Sequence, residues 1–278
     1  MPQPRHNIQI VDVQDDVVRV VQLTDTHLCL SRGGTLLGMD TDHSLQAVID
    51  LVKKERTVVD LLLGTGDLAD GGAGTAYERL QEYFDQLTGD NYWLPGNHDC
   101  RAKMAAAATS ATRLCKEIRV GHWQILLLDS QVPEQVGGAL GAAELALLEQ
   151  ALQSAQEQRL HTLVCLHHQP VAIGCVWLDQ QMVSDAAAFF DVLDRHPGVR
   201  GVLWGHVHQE IDQHRNGVRL LASPSTCVQF AAGSAKFKAD DQPPGYRWLD
   251  LHRDGRIETA VSRVRDIKFK VELDSQGY

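Results

Sequence analysis

The chain has 278 residues, of which 44% are hydrophobic and 22% charged, as is typical of a globular protein long enough to bury a sizeable core. The formal net charge is −10 and no run of Lys or Arg occurs, which argues against a nucleic acid as partner. The chain has no apolar stretch near the roughly 18 residues of a membrane span, and its N-terminus lacks the apolar core of a signal peptide. The six cysteines are scattered along the chain and form no C-x-x-C pair. We therefore expect a cytoplasmic protein that contacts no membrane and keeps its thiols reduced.

The hydrophobic pattern alternates strands with amphipathic helices along most of the chain. Predicted strands cover residues 17–23, 58–63, 92–94, 123–129, 162–166 and 199–204. Predicted helices cover residues 42–55, 76–87, 142–158 and 185–195. This order predicts parallel strands connected by helices in the first part of the sheet.

The last part of the chain changes to hairpins. Residues 210–215 and 218–222 flank Asn216-Gly217, a pair that tolerates the positive φ values of a type I′ turn. Residues 246–252 and 256–263 repeat this device around Asp254-Gly255. We therefore expect one α/β domain over residues 1–278, with a mixed sheet, a core at about 17–265, and a polar tail after Asp266 that frays.

Five of the predicted strands end in a cluster of polar side chains that a turn alone does not need. The clusters are TDTH at 24–27, GTGD at 64–67, GNHD at 96–99, HHQP at 167–170 and GHVH at 205–208. Sites in open α/β sheets gather outside the carboxyl ends of the strands. We therefore expect the five clusters to converge at one edge.

These clusters offer seven oxygen and nitrogen donors and no thiolate. The candidate ligands are Asp25, His27, Asp67, Asn97, His167, His206 and His208. This mixture suits Fe, Mn, Zn, Co or Ni, whereas a site made only of oxygens suits Mg or Ca better. Seven donors exceed the needs of one tetrahedral ion but fit two ions about 3.5–4 Å apart that share a carboxylate.

Local spacing supports the two-ion hypothesis. Asp67 is the candidate bridge, because the glycines on either side of Thr65 allow a close approach of backbone and metal. Asp25 and His27 are two positions apart and point to the same side of an extended chain. His206 and His208 can diverge to two neighbouring ions if the turn after Gly205 tightens.

Each cluster taken alone also has an ordinary structural explanation. D-x-H after a strand is commonly a solvated loop, G-D a turn, and His167-His168 a core histidine beside a surface one. The joint occurrence of five clusters, each at a strand end, favours a functional site.

The ordered set D-x-H, G-D, G-N-H-D, H and G-H-x-H resembles the calcineurin-like metallophosphoesterase superfamily over roughly residues 19–251. Longer strings resemble the bacterial class III 3′,5′-cyclic-AMP phosphodiesterases: LLGMDTDHSLQAV at 36–48, GCVWLDQ at 174–180, GHVHQEID at 205–212 and SPSTCVQF at 223–230. The resemblance implies a four-layer α/β/β/α sandwich of mixed β-sheets. It also implies two metal ions, Fe or Mn by preference with Zn or Co as alternatives, and a monomer or homodimer.

The resemblance also implies a role for each matching residue. The first ion is expected on Asp25, His27, Asp67 and His208, and the second on Asp67, Asn97, His167 and His206. His98 is the expected catalytic histidine that binds no metal, and Asp99 is expected to orient it. The substrate is expected to contact His27, Asp67, Asn97, His98 and His208.

The implied activity is hydrolysis of 3′,5′-cyclic AMP, a small-molecule substrate, to 5′-AMP, with His98 protonating the leaving 3′ oxygen. The alternative is a broader phosphoesterase on the same metals, acting on 2′,3′-cyclic nucleotides, glycerophosphodiesters or phosphomonoesters. A catalytically inactive scaffold is disfavoured, since no ligand has been lost.

The expected preference for cyclic AMP depends on residues for which the sequence allows two interpretations. Trp177 and the hydroxyls of Ser225 and Thr226 could lie near the base or ribose, or else be a packed aromatic and a turn. The family has His-His-His-Pro or His-His-Pro-Pro where this chain has His-His-Gln-Pro. Gln169 is therefore expected to alter the wall of the site.

Overall fold

A computed structural model describes residues 7–277, so part of the N-terminal segment that we expect to lack a signal peptide lies outside the described residues. The strands are, in chain order, β1 (Ile8–Val11), β2 (Val17–Leu23), β3 (Thr35–Leu36), β4 (Met39–Asp40), β5 (Leu61–Thr65), β6 (Asn91–Leu94), β7 (Glu117–Val120), β8 (Trp123–Leu127), β9 (His161–Cys165), β10 (Val199–Trp204), β11 (Ile211–Arg215), β12 (Val218–Ala222), β13 (Gln229–Phe230), β14 (Ala239–Asp240), β15 (Gly245–His252) and β16 (Ile257–Arg263). The helices are α1 (Thr41–Glu55), α2 (Gly74–Phe84), α3 (Arg101–Ala107), α4 (Gly141–Glu157), α5 (Val176–Asp179) and α6 (Ala186–Leu193), with 3₁₀ turns at Asp70–Gly72 and Ala111–Leu114.

Two large mixed sheets form the body of the protein. One has seven strands in the order β1-β7-β8-β9-β10-β12-β11, and the other has five in the order β16-β15-β2-β5-β6. Strands β2, β5 and β6 are parallel to one another, as are β8, β9, β10 and β12. The parallel pair β1–β7 and the antiparallel pairs β15–β2, β15–β16, β7–β8 and β11–β12 complete the sheets. The expected mixed α/β architecture is confirmed.

Neighbouring residues on β2 show how the layers are built, because successive side chains of a strand point to opposite faces. Val21 belongs to a buried cluster with Leu45 of α1 on the outer face of the five-stranded sheet. Val20 belongs to a second cluster with Ile125 of β8, between the two sheets. A third cluster includes Leu148 of α4 and covers the outer face of the seven-stranded sheet. The layers are therefore helix, sheet, sheet and helix, as the resemblance implies.

The main differences from the sequence prediction concern short elements and strand ends. The predicted strand at 58–63 is shifted to β5, because the parallel pairing with β2 starts at Val20 and Leu61. The helix predicted at 76–87 is α2, which begins at Gly74 and ends at Phe84. The sequence pattern also did not predict β1, β7, α3 and α5. These elements are each only four to seven residues long, which is too short to show a clear hydrophobic periodicity.

The two late hairpins turn in different ways. Asn216 and Gly217 have φ values of 50° and 82°, which confirms the type I′ turn. Between β15 and β16, by contrast, the turn has four residues, and only Gly255 among them has a positive φ, of 87°. The backbone N–H of Arg256 donates to the Asp254 carboxylate at 3.0 Å. The expectation that this turn repeats the first one is wrong, because Asp254 caps the turn instead of entering the left-handed region.

The segment after Asp266 contains no helix or strand among the described residues, yet it contacts the body of the domain. The ring of Phe269 lies 5.5 Å from that of His43, and the backbone N–H of Glu272 donates to the Leu37 carbonyl at 2.8 Å. The expected fraying of this segment stays a prediction. Within residues 7–277, every helix is too short or too polar to cross a bilayer.

Candidate metal centre

All five polar clusters follow the carboxyl end of a strand, and they come from both large sheets. Strands β2, β5 and β6 of the five-stranded sheet lead into 24–27, 64–67 and 96–99, and β9 and β10 of the seven-stranded sheet lead into 167–170 and 205–208. Hydrogen bonds between the two sheets and within the seven-stranded sheet hold these loops together. The backbone N–H of His206 donates to the Asp25 carboxylate at 3.0 Å, and that of Gly205 donates to the His167 carbonyl at 3.1 Å.

The acidic and histidine side chains of these loops form overlapping groups whose candidate ligand atoms lie within 4.8 Å of one another. The groups are Asp25, His27 and His208; Asp25, Asp67 and His167; His27, Asp67 and His98; and His167, His168 and His206. Asp67 belongs to two of these groups, as do Asp25, His27 and His167, and its expected bridging role stays a prediction. His206 and His208 fall in different groups, as expected for a tightened turn, and the Val207 N–H donates to the Gly205 carbonyl at 2.7 Å.

Five of the seven candidate ligands have a backbone conformation that is rare for residues with a side chain. Asp25, His27, Asp67, His206 and His208 have φ values of 54°, 44°, 50°, 63° and 50°. The expectation that Asp25 and His27 face one centre from an extended chain is therefore wrong in its geometry, although both side chains do approach His208. Non-glycine residues in this region cost free energy and concentrate at functional sites.

Two glycines allow the loops to approach closely. A Cβ atom at Gly96 would lie 2.2 Å from Oδ1 of Asp67, and one at Gly205 would lie 2.2 Å from Oγ1 of Thr24. Such distances are shorter than any van der Waals contact, so no other residue fits these positions without moving a loop.

The hydrogen-bonding state of three candidate ligands fits the binding of metal ions. Oδ1 of Asn97 is buried and accepts no hydrogen bond from the described residues, a costly state for an amide unless a cation binds it. His167 and His208 each direct Nδ1 to a backbone carbonyl, that of Thr65 at 2.8 Å and that of Val228 at 2.6 Å. Each ring therefore keeps the Nε2 lone pair for a ligand, as metal-binding histidines do.

The charge state of the cluster also suits metal binding. Burial opposes ionisation of Asp67, but His167 and His98 outweigh it and hold the pKa of this carboxyl well below its usual range. Burial, together with the neighbouring His98, lowers the pKa of His27 to about 3. Asp67 therefore presents a carboxylate and His27 a neutral imidazole, which are the protonation states that bind metal. Burial opposes protonation of His167, but Asp67 raises its pKa to about 9, so His167 releases a proton when a metal ion binds.

His98 lies at the accessible side of the cluster, with 23% of its side chain exposed. Its backbone N–H donates to Oδ1 of Asp67 at 2.8 Å, and its ring Nδ1 lies 3.3 Å from Oδ1 of Asp70. Burial opposes protonation, but Asp67 and Asp70 raise the pKa of His98 to about 9. The sequence interpretation missed Asp70. Asp70 follows Asp67 by three positions, at the start of a 3₁₀ turn, and its position in the sequence does not distinguish it from Asp99 as the partner of His98.

Asp99 has different partners from those that we expected. Its carboxylate accepts hydrogen bonds from the N–H groups of Leu68, Ala69 and Gly96 at 3.1, 3.0 and 2.8 Å, and from the Tyr77 hydroxyl at 2.8 Å. Asp99 thus joins the loops after β5 and β6 to α2. The carboxylate next to the His98 ring is that of Asp70, because Asp99 is turned toward the backbone.

Trp177 and Ser225, which the sequence suggests as possible neighbours of the base or ribose, both contact other parts of the protein. Trp177 contacts Phe230 and Phe237 edge-on, with ring centroids 5.1 and 5.3 Å away. The Ser225 hydroxyl donates to the backbone carbonyl of Asp25 at 2.7 Å. The Trp177 contacts correspond to the alternative of a packed aromatic, and the Ser225 hydroxyl also accepts from the Cys227 N–H at 2.8 Å, as in a turn.

Comparison with known proteins places these features in context. The family model for calcineurin-like phosphoesterases matches residues 18–210. The 3′,5′-cyclic adenosine monophosphate phosphodiesterase CpdA of Pseudomonas aeruginosa is 47% identical, covering 95% of this chain and 96% of its own. The protein of the same name from Escherichia coli K12 is 43% identical, with 94% and 95% coverage. A dimetal phosphatase of Danio rerio has a similar fold, with a TM-score of 0.61, 16% identity, and coverage of 90% of this chain and all of the other.

Proposed function

This chain belongs to the calcineurin-like phosphoesterase family, and we propose that it is a metal-dependent phosphodiesterase that hydrolyses 3′,5′-cyclic AMP to 5′-AMP. The observation that carries the proposal is the meeting of five polar loops in one cluster of carboxylates and imidazoles, in a chain that is 47% identical to a 3′,5′-cyclic-AMP phosphodiesterase along nearly its whole length.

The family implies a dinuclear site, and the residues of this chain fit one. Asp25, His27, Asp67 and His208 would hold the first ion. Asp67, Asn97, His167 and His206 would hold the second. When bound, two such ions polarise the phosphoryl oxygens and lower the pKa of a water molecule that can act as nucleophile.

The chain's own groups do the remaining work. His98 is the partly exposed histidine of the cluster, and the centroid of its ring lies 4.9 Å from that of His27. From there it would bind a substrate phosphate beside the metals and give a proton to the leaving 3′ oxygen, which is a poor leaving group as an alkoxide. The Asp70 carboxylate accepts a hydrogen bond from Nδ1 of the His98 ring. Nε2 is therefore the ring nitrogen that would face the substrate.

The proposal also covers the identity of the metals, the cellular location and the oligomeric state. The mixture of oxygen and nitrogen donors supports Fe or Mn, with Zn or Co as alternatives. We place the enzyme in the cytoplasm, where it would lower the cyclic-AMP signal as a monomer or homodimer.

Steady-state kinetics of the metal-reconstituted protein test the substrate. The expected result is a higher kcat/KM for 3′,5′-cyclic AMP than for 2′,3′-cyclic AMP, a glycerophosphodiester or a phosphomonoester. A clear preference for one of the other esters would favour the broader phosphoesterase on the same site and overturn the cyclic-AMP proposal.

A further inference from the structure

One candidate ligand of the second ion, His206, is oriented differently from His167 and His208. His167 and His208 both use Nδ1 to contact a backbone carbonyl. In His206 it is Nε2 that is engaged, and its partner is a side chain: Oε1 of Gln181, at 2.9 Å.

This contact decides which nitrogen of His206 can bind metal. An amide oxygen only accepts hydrogen bonds, so Nε2 of His206 carries the proton and donates it. The lone pair of the neutral ring then lies on Nδ1. Burial lowers the pKa of this histidine well below its usual value, which agrees with a neutral ring but is not needed for the geometry.

Gln181 is itself held in place from the His167 loop. Its backbone N–H donates to the Leu178 carbonyl at 2.8 Å. The same carbonyl accepts from Nε2 of Gln169 at 2.6 Å, and the Val183 N–H donates to the Gln169 carbonyl at 3.0 Å. Gln169, whose side chain is fully buried, therefore binds the segment on both sides of Gln181.

We propose that Gln181 is a positioning residue that fixes His206 with Nδ1 toward the second metal ion, and that Gln169 supports it. This inference rests on the two-ion site of the proposed function. The backbone carbonyls that orient His167 and His208 cannot be removed by substitution. The partner of His206 can be removed, which makes the inference testable at one ion without altering any ligand.

Metal affinity is the first readout. Metal-free protein is titrated with Mn²⁺ by calorimetry, as wild type and as Gln181→Leu, Gln181→Glu, Gln169→Leu and Gln180→Leu. Removal of the acceptor in Gln181→Leu is expected to weaken one of two sites by about 10–100-fold, as for other partners of metal-bound histidines. Gln181→Glu keeps an acceptor and retains the affinity, and Gln169→Leu weakens the same site by a smaller factor. Gln180 is exposed on the same segment, so Gln180→Leu is the matched control and binds as wild type.

A second readout needs no metal and no activity. The ¹⁵N shifts of labelled histidine report which ring nitrogen carries the proton, and His206→Gln assigns the signal. His206 of the wild type is expected to have the proton on Nε2, and Gln181→Leu to populate both tautomers.

The outcomes separate the two proposals. Two Mn²⁺ sites within about twofold of wild type in Gln181→Leu would overturn the role of Gln181 and leave the proposed function intact. So would equal weakening in Gln181→Glu and Gln181→Leu, or a wild-type His206 protonated on Nδ1. Uptake of fewer than two ions by the wild type would overturn the dinuclear site and the inference together.

Discussion

Oδ1 of Asp70 lies 3.3 Å from Nδ1 of His98, so a carboxylate at the end of the β5 loop contacts the imidazole that follows β6. We expect Asp70→Ala to lower kcat by about 10–100-fold, because Asp70 orients the His98 ring and helps to raise its pKa to about 9, so that without Asp70 the ring is less often protonated and correctly aimed. Both metal ions stay bound, since Asp70 is not in either ligand set. The exposed Asp241 provides the control substitution to Ala, and unchanged kcat in Asp70→Ala would contradict the pairing.

His98→Ala is expected to lower kcat by about 10²–10⁴-fold, the usual contribution of a general acid. Metal content, measured by elemental analysis after gel filtration, is expected to remain at two ions per chain. Near-normal turnover, or loss of an ion, would show that His98 does not have the proposed role.

Asp67→Ala and Asn97→Ala are expected to differ in metal content. Asp67 is assigned to both ions, so its substitution removes both and abolishes turnover. Asn97 is assigned to the second ion only, so its substitution leaves one ion bound. Elemental analysis of the two variants side by side checks the assignment, and one retained ion in Asp67→Ala would refute the bridge.

Asp99→Ala is expected to lower the free energy of unfolding by about 2–4 kcal/mol, because several buried donors lose their acceptor at once. Tyr77→Phe removes one of these donors and is expected to cost about 1–2 kcal/mol. Equilibrium unfolding in urea measures both values. An Asp99→Ala variant of native stability but low kcat would restore the role in orienting His98 that the family resemblance suggested.

Removal of the metal ions is expected to destabilise the fold. Each ion present at 1,000 times its dissociation constant adds about 4 kcal/mol to the free energy of unfolding. Thermal unfolding with and without a chelator should therefore show a decrease in Tm of roughly 10 °C for each ion removed. A Tm that does not respond to the chelator would mean that the loops are held without the ions.

The general fold and the position of the site could be predicted because both depend on local patterns. Buried strands such as β2 and β10 are mostly apolar, and the reactive residues follow each strand directly. Parallel strands bring their carboxyl ends to one edge, so clusters distant in the chain could be assigned to one place.

Other features depend on tertiary structure and had no such pattern. Asp99 and Asp70 flank the site equally well in the sequence, and only the path of the loops decides that Asp70 reaches the His98 ring. The pairing of Gln181 with His206 joins two loops with no common motif. Asp and His enter the left-handed conformation more readily than most residues, but that Asp25 and His27 do so here goes with tertiary contacts such as that of the Asp25 N–H with the Gly66 carbonyl at 3.0 Å.

The division of the ligands between the two sheets has a consequence during synthesis. Asp25, Asp67 and Asn97 follow strands of the five-stranded sheet and leave the ribosome early, whereas His206 and His208 follow β10. Each proposed ion needs one of these two late histidines. A nascent chain can therefore complete neither ion site until β10 and the loop after it have emerged, and the carboxylates made earlier lack a full set of partner ligands until then.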